Sequence, residues 1–554
     1  MKIRYLFSFI FISSILFGCS NSSPEKIPTI TPTKMEIALI SFPTATPFIP
    51  DVGINTESIS LRLYIPDYLM AESMLEIPSE VEIENSIGNS DCQITTDHPE
   101  KILGEKIFAL VGTFATLEDD YEKESILKMV IGNPPENLSE KRFIFTEDTV
   151  EILEYFFRIP NEAIILNDNQ DISEFLYQNP DYLSFVPFDK LSPALKVFSI
   201  DDISPYDQDF QVSTYYLTLP IGVTCLDKSN LKIFNQLSDE KFTNRNPNLF
   251  TSVLLTGTTA LVRATGAKME SNGNTYPGEF VKEWFDEADI SHISNESSFW
   301  EDCPFANPNQ KDTFFCSRPE YVELLTYLGV EVVELTGNHL VDKGVDPLLE
   351  TIQILSDKGI SFYAAGMNQA EAEAPARFEH NGNKIAFIGC NEAGPTFVWL
   401  QEFRPGVLRC DFDRMSELIA NLVKEGYLPI VTYQYWESFQ FDAMPYQKKH
   451  SYQLIDSGAV IVSGSQSHLP MSMEIYRGGF IHYGLGNLFF DQMDIPVIGT
   501  RREFLDRHIF YDGKYLGTQL LTAMLEDYSQ PHPMTQPDRL DLLKDAFEFF
   551  NYIP

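Results

Sequence analysis

Basic side chains are scarce in this sequence. Lysine and arginine together number 40 against 80 aspartates and glutamates, which gives a formal net charge of −40 at pH 7. Nucleic-acid binding requires a basic footprint, and attraction to anionic lipid headgroups requires clustered lysine or arginine. The composition therefore argues against nucleic acid as a partner and against loose electrostatic binding to a membrane. A nucleophile elbow, a Walker loop and a Rossmann fingerprint are also missing, so none of those chemistries is indicated.

Long apolar runs are missing too, apart from a short one near the start. The first residues read "MKIRYLFSFIFISSILFGCSNSSPEK", in which Lys2 and Arg4 precede an apolar run over residues 5–17. This run is too short to span a bilayer comfortably and is typical of a secretory signal. Nothing later in the chain is long and apolar enough to span a membrane. We therefore expect an exported protein.

The end of the apolar run has a small residue followed by cysteine, Gly18 and Cys19. This form resembles the lipobox of bacterial lipoprotein signals. The resemblance implies a signal peptide over residues 1–18 and a lipidated Cys19. A tether rich in serine, threonine and proline follows over residues 19–50. The body would then be anchored by lipid alone to the cell membrane or outer membrane, facing away from the cytoplasm; a plain signal peptide with a chance cysteine is the alternative.

Cysteine is rare, with seven residues in 554, and six of these follow Cys19. An even number of cysteines in an exported chain favours disulfides over metal ligands. Sequence alone does not choose among the pairings, and buried free thiols are the alternative. Pairing neighbours along the chain predicts three bonds: Cys303–Cys316, Cys390–Cys410 and Cys92–Cys225.

The length predicts more than one domain. Strand-like runs such as "KIFALVGTF" alternate with helical ones such as "EDTVEILEYFFRI", which predicts a smaller α/β domain over residues 51–240. Within it, "NPDYLSFVPFDKLSPALKVFSIDD" faintly resembles an extracytoplasmic solute-binding domain of the phosphate-binding type. A scaffold domain that binds no small molecule is an equal alternative. A polar stretch over residues 237–248 predicts the boundary, with the C-terminal domain over residues 250–554.

The C-terminal half places polar residues directly after buried strands. In "GVEVVELTGNHLVDKGVDPLLETI" an apolar strand ends at Thr-Gly-Asn-His before a helical pattern begins. Ligands bind outside the carboxyl ends of strands in open α/β sheets, so such residues are candidates for a site. Five loops have this character, and they carry Thr258, Glu296 after Asn295, Asn338 with His339, Gln434 with Glu437, and Gln466 with His468.

These motifs resemble the CapA family, the capsule-synthesis (poly-γ-glutamate) proteins with a calcineurin-like metallophosphatase fold. The matching pieces lie in residues 252–492 and include "TGNHLVDKGVDPLLETI", "YAAGMNQAEAEAP", "NGNKIAFIG" and "IDSGAVIVSGSQSHLPMSMEIYRGGFIHYGLGNLFFD". The resemblance implies a sandwich of two mixed β-sheets flanked by helices. It also implies loops that carry two metals.

Three positions depart from the family pattern. Thr258 stands where the bridging aspartate is usual, and Gln434 and Gln466 stand where histidines are usual. A hydroxyl or a neutral amide is a poorer ligand for such metals than a carboxylate or an imidazole. The resemblance leaves one divalent ion (manganese, zinc or iron), held by Glu296, Asn338, His339 and His468, or no metal at all.

The site residues have assigned roles and alternatives. Asn338, His339 and His468 are the catalytic candidates; the substrate-binding candidates are Thr258, Arg263, Gln434, Gln466 and Glu437. Asn338 taken alone suits the cap of a helix beginning near Val341. Arg263 suits either an anionic group or a surface ion pair. His482 is expected to be structural.

The resemblance implies a surface-anchored protein in the synthesis, export or anchoring of an anionic capsule polymer such as poly-γ-glutamate. Its partners would be that polymer or the synthesis machinery. As an enzyme it would be a metal-assisted hydrolase or transferase. The alternative is a non-catalytic lipoprotein that binds a solute or polymer.

Overall fold

The computed structural model describes residues 60–70, 77, 79, 81–154, 163–166, 170–236 and 242–554. The expected signal peptide, the tether and Cys19 lie outside the described residues. Within the described part, no helix has both the length and the apolar character that crossing a membrane requires.

The first half of the described chain forms one twisted, mixed sheet of eleven strands in the main order β2-β1-β3-β10-β4-β8-β6-β7. Strands β9 and β11 pair with β4, and β5 pairs with β9. The strands are β1 (Leu61–Tyr64), β2 (Val81–Glu84), β3 (Cys92–Thr95), β4 (Lys101–Thr113), β5 (Asp120–Tyr121), β6 (Arg142–Thr146), β7 (Ile164–Leu166), β8 (Tyr182–Pro187), β9 (Leu195–Ile200), β10 (Thr218–Cys225) and β11 (Phe242–Thr243). The helices are α1 (Asp67–Met70), α2 (Lys123–Val130), α3 (Glu147–Leu153) and α4 (Ile172–Gln178).

The second half contains a nine-stranded and a seven-stranded sheet and a small two-stranded one. Its strands are β12 (Phe250–Thr256), β13 (Thr258–Thr259), β14 (Ile290–Asn295), β15 (Val332–Glu334), β16 (Ser361–Tyr363), β17 (Ala365–Gly366), β18 (Ala376–His380), β19 (Asn383–Asn391), β20 (Gly406–Val407), β21 (Leu428–Gln434), β22 (Ile461–Ser465), β23 (Met473–Tyr476), β24 (Gly479–His482), β25 (Asn487–Phe489), β26 (Arg502–Tyr511), β27 (Lys514–Glu526), β28 (Gln530–Pro533) and β29 (Asn551–Ile553). Its helices are α5 (Arg263–Asn272), α6 (Lys282–Asp286), α7 (Val322–Leu328), α8 (Val345–Asp357), α9 (Gln369–Ala372), α10 (Phe412–Lys424), α11 (Pro445–Asp456) and α12 (Gln536–Phe547).

The two large sheets of the second half pack face to face. One has the main order β16-β15-β14-β12-β26-β27-β28 and the other β18-β19-β21-β22-β24-β23-β29. Val253, Ile290 and Val332 of the first sheet share one apolar core with Ile385 and Ile430 of the second. Parallel strands buried on both faces read as nearly continuous apolar runs, which explains stretches such as "SVLLT" and "IAFIG".

Helices cover the outer face of each sheet. Leu324 of α7 and Leu348 of α8 pack on the first sheet, whereas Ile419 of α10 and Leu454 of α11 pack on the second. The predicted fold, a sandwich of two mixed sheets flanked by helices and preceded by α/β structure, is confirmed. The domain boundaries at residues 240–250 stay predictions.

The predicted disulfide pairing is confirmed. The structure contains Cys92–Cys225, Cys303–Cys316 and Cys390–Cys410. The first joins β3 to β10, which already pair in the N-terminal sheet. The free-thiol alternative for these six residues is therefore wrong.

A three-membered ion cluster joins the N-terminal region to the last long helix. Both oxygens of Asp119 accept from Arg539 of α12, at 2.7 and 2.8 Å, and Lys196 of β9 lies 2.8 Å from Oδ1. The side chains of Lys196 and Arg539 are only 14% and 15% exposed. Burial by itself raises the pKa of Asp119, but the two cations outweigh it and lower that pKa to about 2. Two largely buried cations thus share one carboxylate as their counter-charge.

We predict that Asp119→Asn destabilises the protein by about 1–3 kcal/mol, because two poorly hydrated cations lose their counter-charge. Denaturant-induced unfolding measures this change. Asp541→Asn is the matched control, since Asp541 pairs with Lys544 at the surface, where the two side chains are 76% and 59% exposed. This substitution should change stability by less than about 0.5 kcal/mol.

The same carboxylate makes stability depend on pH, because the folded pKa of Asp119 lies below its usual 3.8. The stabilisation is therefore present above that value and is lost as pH falls through about 2. Equal acid sensitivity in wild type and Asp119→Asn would contradict this account.

Candidate functional site

The carboxyl ends of the parallel strands in both sheets meet at one edge of the sandwich. Strand β14 leads into Glu296, β15 into the Thr-Gly-Asn-His loop, β21 ends at Gln434 and β22 at Ser465. The first two loops approach very closely, since a Cβ placed on Gly337 would lie 2.5 Å from the Cα of Glu296. Only glycine fits there, which confines the position of the neighbouring Asn338.

A side-chain amide joins the loops of the two sheets. Nε2 of Gln434 donates to Oε1 of Glu296 at 3.1 Å and to Oδ1 of Asn338 at 3.3 Å. Gln434 and Glu296 are both 2% exposed. Three of the residues selected from the sequence are therefore in direct contact, and an N–H donor lies between two oxygens that the resemblance assigns to a metal.

The orientation of this amide follows from its neighbour Asn391, at the end of β19. Oδ1 of Asn391 accepts from the backbone N–H of Gly394 at 2.7 Å and from the indole N–H of Trp399 at 2.8 Å. Both partners are donors only, so Nδ2 must be on the other side. There it donates to the carbonyl oxygen of Thr336 and to Oε1 of Gln434, each at 2.7 Å. Oε1 of Gln434 is therefore an acceptor, and its NH₂ group must face Glu296 and Asn338.

The two candidate histidines are each held through Nδ1. His339 lies 2.7 Å from Oδ2 of Asp342, and His468 lies 2.7 Å from Oδ1 of Asn487. Nδ2 of Asn487 donates to two backbone carbonyls, which fixes its Oδ1 as an acceptor. Both imidazoles therefore carry the proton on Nδ1, and Nε2 is the basic nitrogen of each neutral ring.

The surroundings of His339 favour its charged form. Burial lowers the pKa of His339, but the hydrogen bond to Asp342 and the charge of Glu296 outweigh burial and raise the pKa above the ordinary value. His468 has one acidic neighbour, with Nε2 4.0 Å from Oε1 of the half-exposed Glu437. The edge of the site is thus rich in acidic charge.

Arg263 connects the two histidines through aromatic rings rather than facing open solvent. Its guanidinium lies 5.2 Å from the ring centre of Phe315 and 4.8 Å from that of Phe490. These rings contact His339 at 4.5 Å and His468 at 5.3 Å. Arg263 also forms an ion pair with Asp491, and the side chains are 21% and 9% exposed. The sequence left two alternatives for Arg263, an anionic ligand or a surface ion pair. The structure contains an ion pair, and that pair is partly buried.

The hydroxyl group of Thr258 already has a hydrogen-bond partner within the protein. Its Oγ1 accepts from the backbone N–H of Gln466 at 3.2 Å.

Three residues of the site have left-handed backbones, with φ of 46° at Arg263, 69° at Gln466 and 49° at His468. Such conformations cost about 1–3 kcal/mol each outside glycine and persist only where surrounding contacts impose them. The site is therefore held in a specific, costly geometry.

Two alternative interpretations can now be examined. Helix α8 begins at Val345 after Gly344, so Asn338 does not cap it, and its side chain faces Gln434 instead. His482 is fully buried between the sheets and lies 2.6 Å from the buried Asp506. This position agrees with a structural histidine.

The residues present do not fit the two-metal centre that the resemblance implies. Thr258 replaces the bridging carboxylate, and the Gln434 NH₂ group directs its hydrogens at Glu296 and Asn338. In the described ranges, no group of three or more His, Cys, Asp or Glu side chains is placed to hold a metal ion. A single ion bound by Glu296, Asn338, His339 and His468 stays a prediction.

The residues that orient the site were missed in the sequence. Asn391 and Asn487 set the orientations of Gln434 and His468, yet neither belongs to the five chosen loops. Asn391 follows the apolar run "KIAFIGC" at the same carboxyl edge as the others, so its position was a usable signal. The sequence held no such signal for Asn487, because its partner His468 is 19 residues away.

We predict that Asn391→Ala lowers the free energy of unfolding by about 2–4 kcal/mol, because several buried donors and acceptors lose their partner together. Thermal or denaturant unfolding measures this loss. Asn421→Ala, on the exposed face of helix α10, is the control and should change stability little. Equal stability of the two variants would show that the Asn391 network does not hold the loops.

Part of the chain is similar to known bacterial capsule synthesis proteins. Residues 252–492 match the family model described as bacterial capsule synthesis protein PGA_cap. The capsule biosynthesis protein CapA of Bacillus anthracis is 26% identical over 186 residues, which are 33% of this chain and 45% of that protein. A probable polyglutamine synthesis accessory protein of Mycobacterium tuberculosis is 28% identical over 214 residues, 37% of this chain and 56% of that one. The matches span about half the length of these curated relatives.

Among solved structures, an ABC-type phosphate transport receptor from Vibrio cholerae is 10% identical, with a TM-score of 0.25. It covers 32% of this chain and 92% of that chain. A similarity of this size carries no conclusion about a ligand. The resemblance drawn from the sequence is confirmed for residues 252–492, which match the PGA_cap family of bacterial capsule synthesis proteins and are similar to the CapA proteins.

Proposed function

We propose that this protein is an accessory component of capsule polymer biosynthesis that holds a polar segment of the polymer by hydrogen bonds. The observation that carries this proposal is the fixed orientation of the Gln434 amide, which directs an NH₂ group at Glu296 and Asn338. Hydrogen bonds from an amide replace part of what a cation would supply to these oxygens. The proposal therefore assigns binding to the site and derives no step through a metal.

The remaining polar atoms suggest which part of a polymer the site takes. Oε2 of Glu296 is buried without a hydrogen-bond partner, and a buried carboxylate oxygen calls for a donor. Nε2 of His468 is also an acceptor when its ring is neutral, because Nδ1 carries the proton that Asn487 accepts. Amide N–H groups along a polymer backbone supply such donors, whereas a carboxylate would be repelled by Glu296 and Glu437. The relatives named as capsule and polyglutamine synthesis proteins support a glutamate polyamide as the substrate class.

A metal-assisted hydrolase or transferase is the competing candidate. It is favoured by the same unpaired Oε2 of Glu296 together with the two imidazole Nε2 atoms, since these groups would also suit one divalent ion. That ion would polarise a scissile carbonyl or phosphoryl bond and activate water. Metal content separates the two candidates.

We predict that the full chain, purified in detergent and dialysed against manganese or zinc and then against buffer, keeps well under one metal per chain by elemental mass spectrometry. The same preparation should bind γ-linked glutamate oligomers, measured by calorimetry. Loss of one charge-assisted acceptor in Glu296→Gln should weaken this binding about tenfold. Glu301→Gln, at an exposed position nearby, is the control. Stoichiometric metal that is lost in His339→Ala would favour the hydrolase, and absence of oligomer binding would reject the binding role.

We infer further that the protein acts outside the cytoplasm, anchored through lipidated Cys19. Three disulfides in the described chain support an oxidising compartment. The apolar start and the Gly18-Cys19 ending support export and lipidation. A lipid anchor would place the site beside a polymer leaving the cell.

We predict that Cys19→Ala abolishes incorporation of a labelled fatty acid and moves the protein from the membrane fraction to the soluble exported fraction. The outcome is read by fractionation and gel shift. Cys92→Ala with Cys225→Ala serves as the control for general loss of cysteine and should keep the label. Unchanged membrane association of Cys19→Ala would contradict lipid anchoring.

A further inference from the structure

A cavity of about 340 Å³ lies where the N-terminal sheet meets the sandwich. Lys196 and Ser199 of β9 form one wall, Arg507 of β26 and Gln519 of β27 form the other, and Arg539 of α12 adds to the lining. The cavity shares no residue with the candidate functional site described above. Its volume is at the small end of the range for ligand pockets, about 300–1,000 Å³, so it suits a small molecule rather than a polymer.

Three basic side chains are concentrated in the lining of this cavity. Three cations, Lys196, Arg507 and Arg539, line the cavity with the carboxylates Asp119 and Asp207, and Arg507 also pairs with Glu287. Both oxygens of Asp119 are already engaged by Lys196 and Arg539. Burial raises the pKa of Asp207 above the ordinary value. The three cations and the three carboxylates Asp119, Asp207 and Glu287 therefore balance formally, and what the cavity offers an anion is unpaired hydrogen-bond donors rather than excess charge.

Two polar groups of the lining lack partners. Arg507 is 6% exposed, and its Nε–H has no hydrogen bond even though the guanidinium pairs with Glu287. Oε1 of Gln519 is likewise buried and unpaired, and rotation of that amide by half a turn would present its NH₂ group instead. A buried, charged donor without an acceptor is costly. A ligand oxygen would satisfy it.

We propose that this cavity binds a small oxyanion, inorganic phosphate or a short carboxylate, whose oxygens accept from Arg507 Nε and from the ammonium of Lys196. Lys196 has a donor to spare, since its two described partners are Asp119 and the carbonyl oxygen of Thr116. A ligand held here contacts both β9 and β26. Binding therefore ties the N-terminal region to the sandwich and stabilises the folded chain by mass action.

The full chain in detergent is titrated by calorimetry with sodium phosphate and, separately, sodium glutarate. Sodium chloride at matched ionic strength controls for salt. We expect saturable binding of at least one oxyanion and a rise in melting temperature with its concentration, with neither for chloride. Response to phosphate alone identifies phosphate as the ligand type, and response to glutarate identifies a carboxylate. No saturable binding of either at millimolar concentration overturns the proposal.

Variants locate the binding. Arg507→Gln should weaken it at least about tenfold, because a charge-assisted hydrogen bond is lost. Arg502→Gln is a close control, since Arg502 lies on the same strand, pairs with Asp545 and also has a buried Nε without a partner, but does not line the cavity. If Arg507→Gln fails to fold by circular dichroism, Lys196→Gln takes its place with the same expectation, since the Lys196 ammonium is the second proposed donor. Unchanged affinity in the folded cavity variant, or equal weakening in Arg502→Gln, overturns the proposal.

Discussion

The apolar core between the two C-terminal sheets positions every loop of the candidate site. Side chains such as Val253 and Val332 pack against Ile385, Ile430 and Ile461 across the sandwich. This packing fixes the relative position of strands that are far apart in sequence and brings their carboxyl ends to one edge. Glu296 and Gln434 are 138 residues apart, yet they are within hydrogen-bond distance. Burial of this core is the largest favourable term that holds such loops in place.

On that framework, the site is organised by amides where the resemblance implies cations. Asn391 uses both its donors and both its acceptor positions within the protein, and this forces the orientation of Gln434. The NH₂ group of Gln434 then donates hydrogen bonds to Glu296 and Asn338. A fully paired polar network of this kind rigidifies a buried region, because each unpaired member would be costly. The left-handed backbones of Gln466 and His468 persist in this rigid setting.

Charge is distributed unevenly between the two places where a ligand is proposed. The candidate functional site combines the carboxylates of Glu296, Glu437 and Asp342, which suits a donor. The cavity at the junction with the N-terminal sheet gathers Lys196, Arg507 and Arg539, which suits an acceptor. Since the chain as a whole is strongly acidic, such a concentration of basic side chains in one internal cavity is a local feature that the overall composition hides.

The sequence by itself determined the element types and the polar loops that follow the strands, and the family resemblance implied the sandwich. Apolar runs of strand length followed by polar residues encode the strands and the loops after them locally. The disulfide pairing was one prediction among several possible pairings, and the structure selected it. Only the tertiary structure decided the hydrogen-bond partners. That Asn338 faces Gln434 instead of capping a helix, that Asn391 orients Gln434, and that Arg507 lines a cavity with Lys196 all depend on contacts across the sandwich or between its two halves. Such contacts arise from packing between distant segments, and no local pattern of residues specifies them.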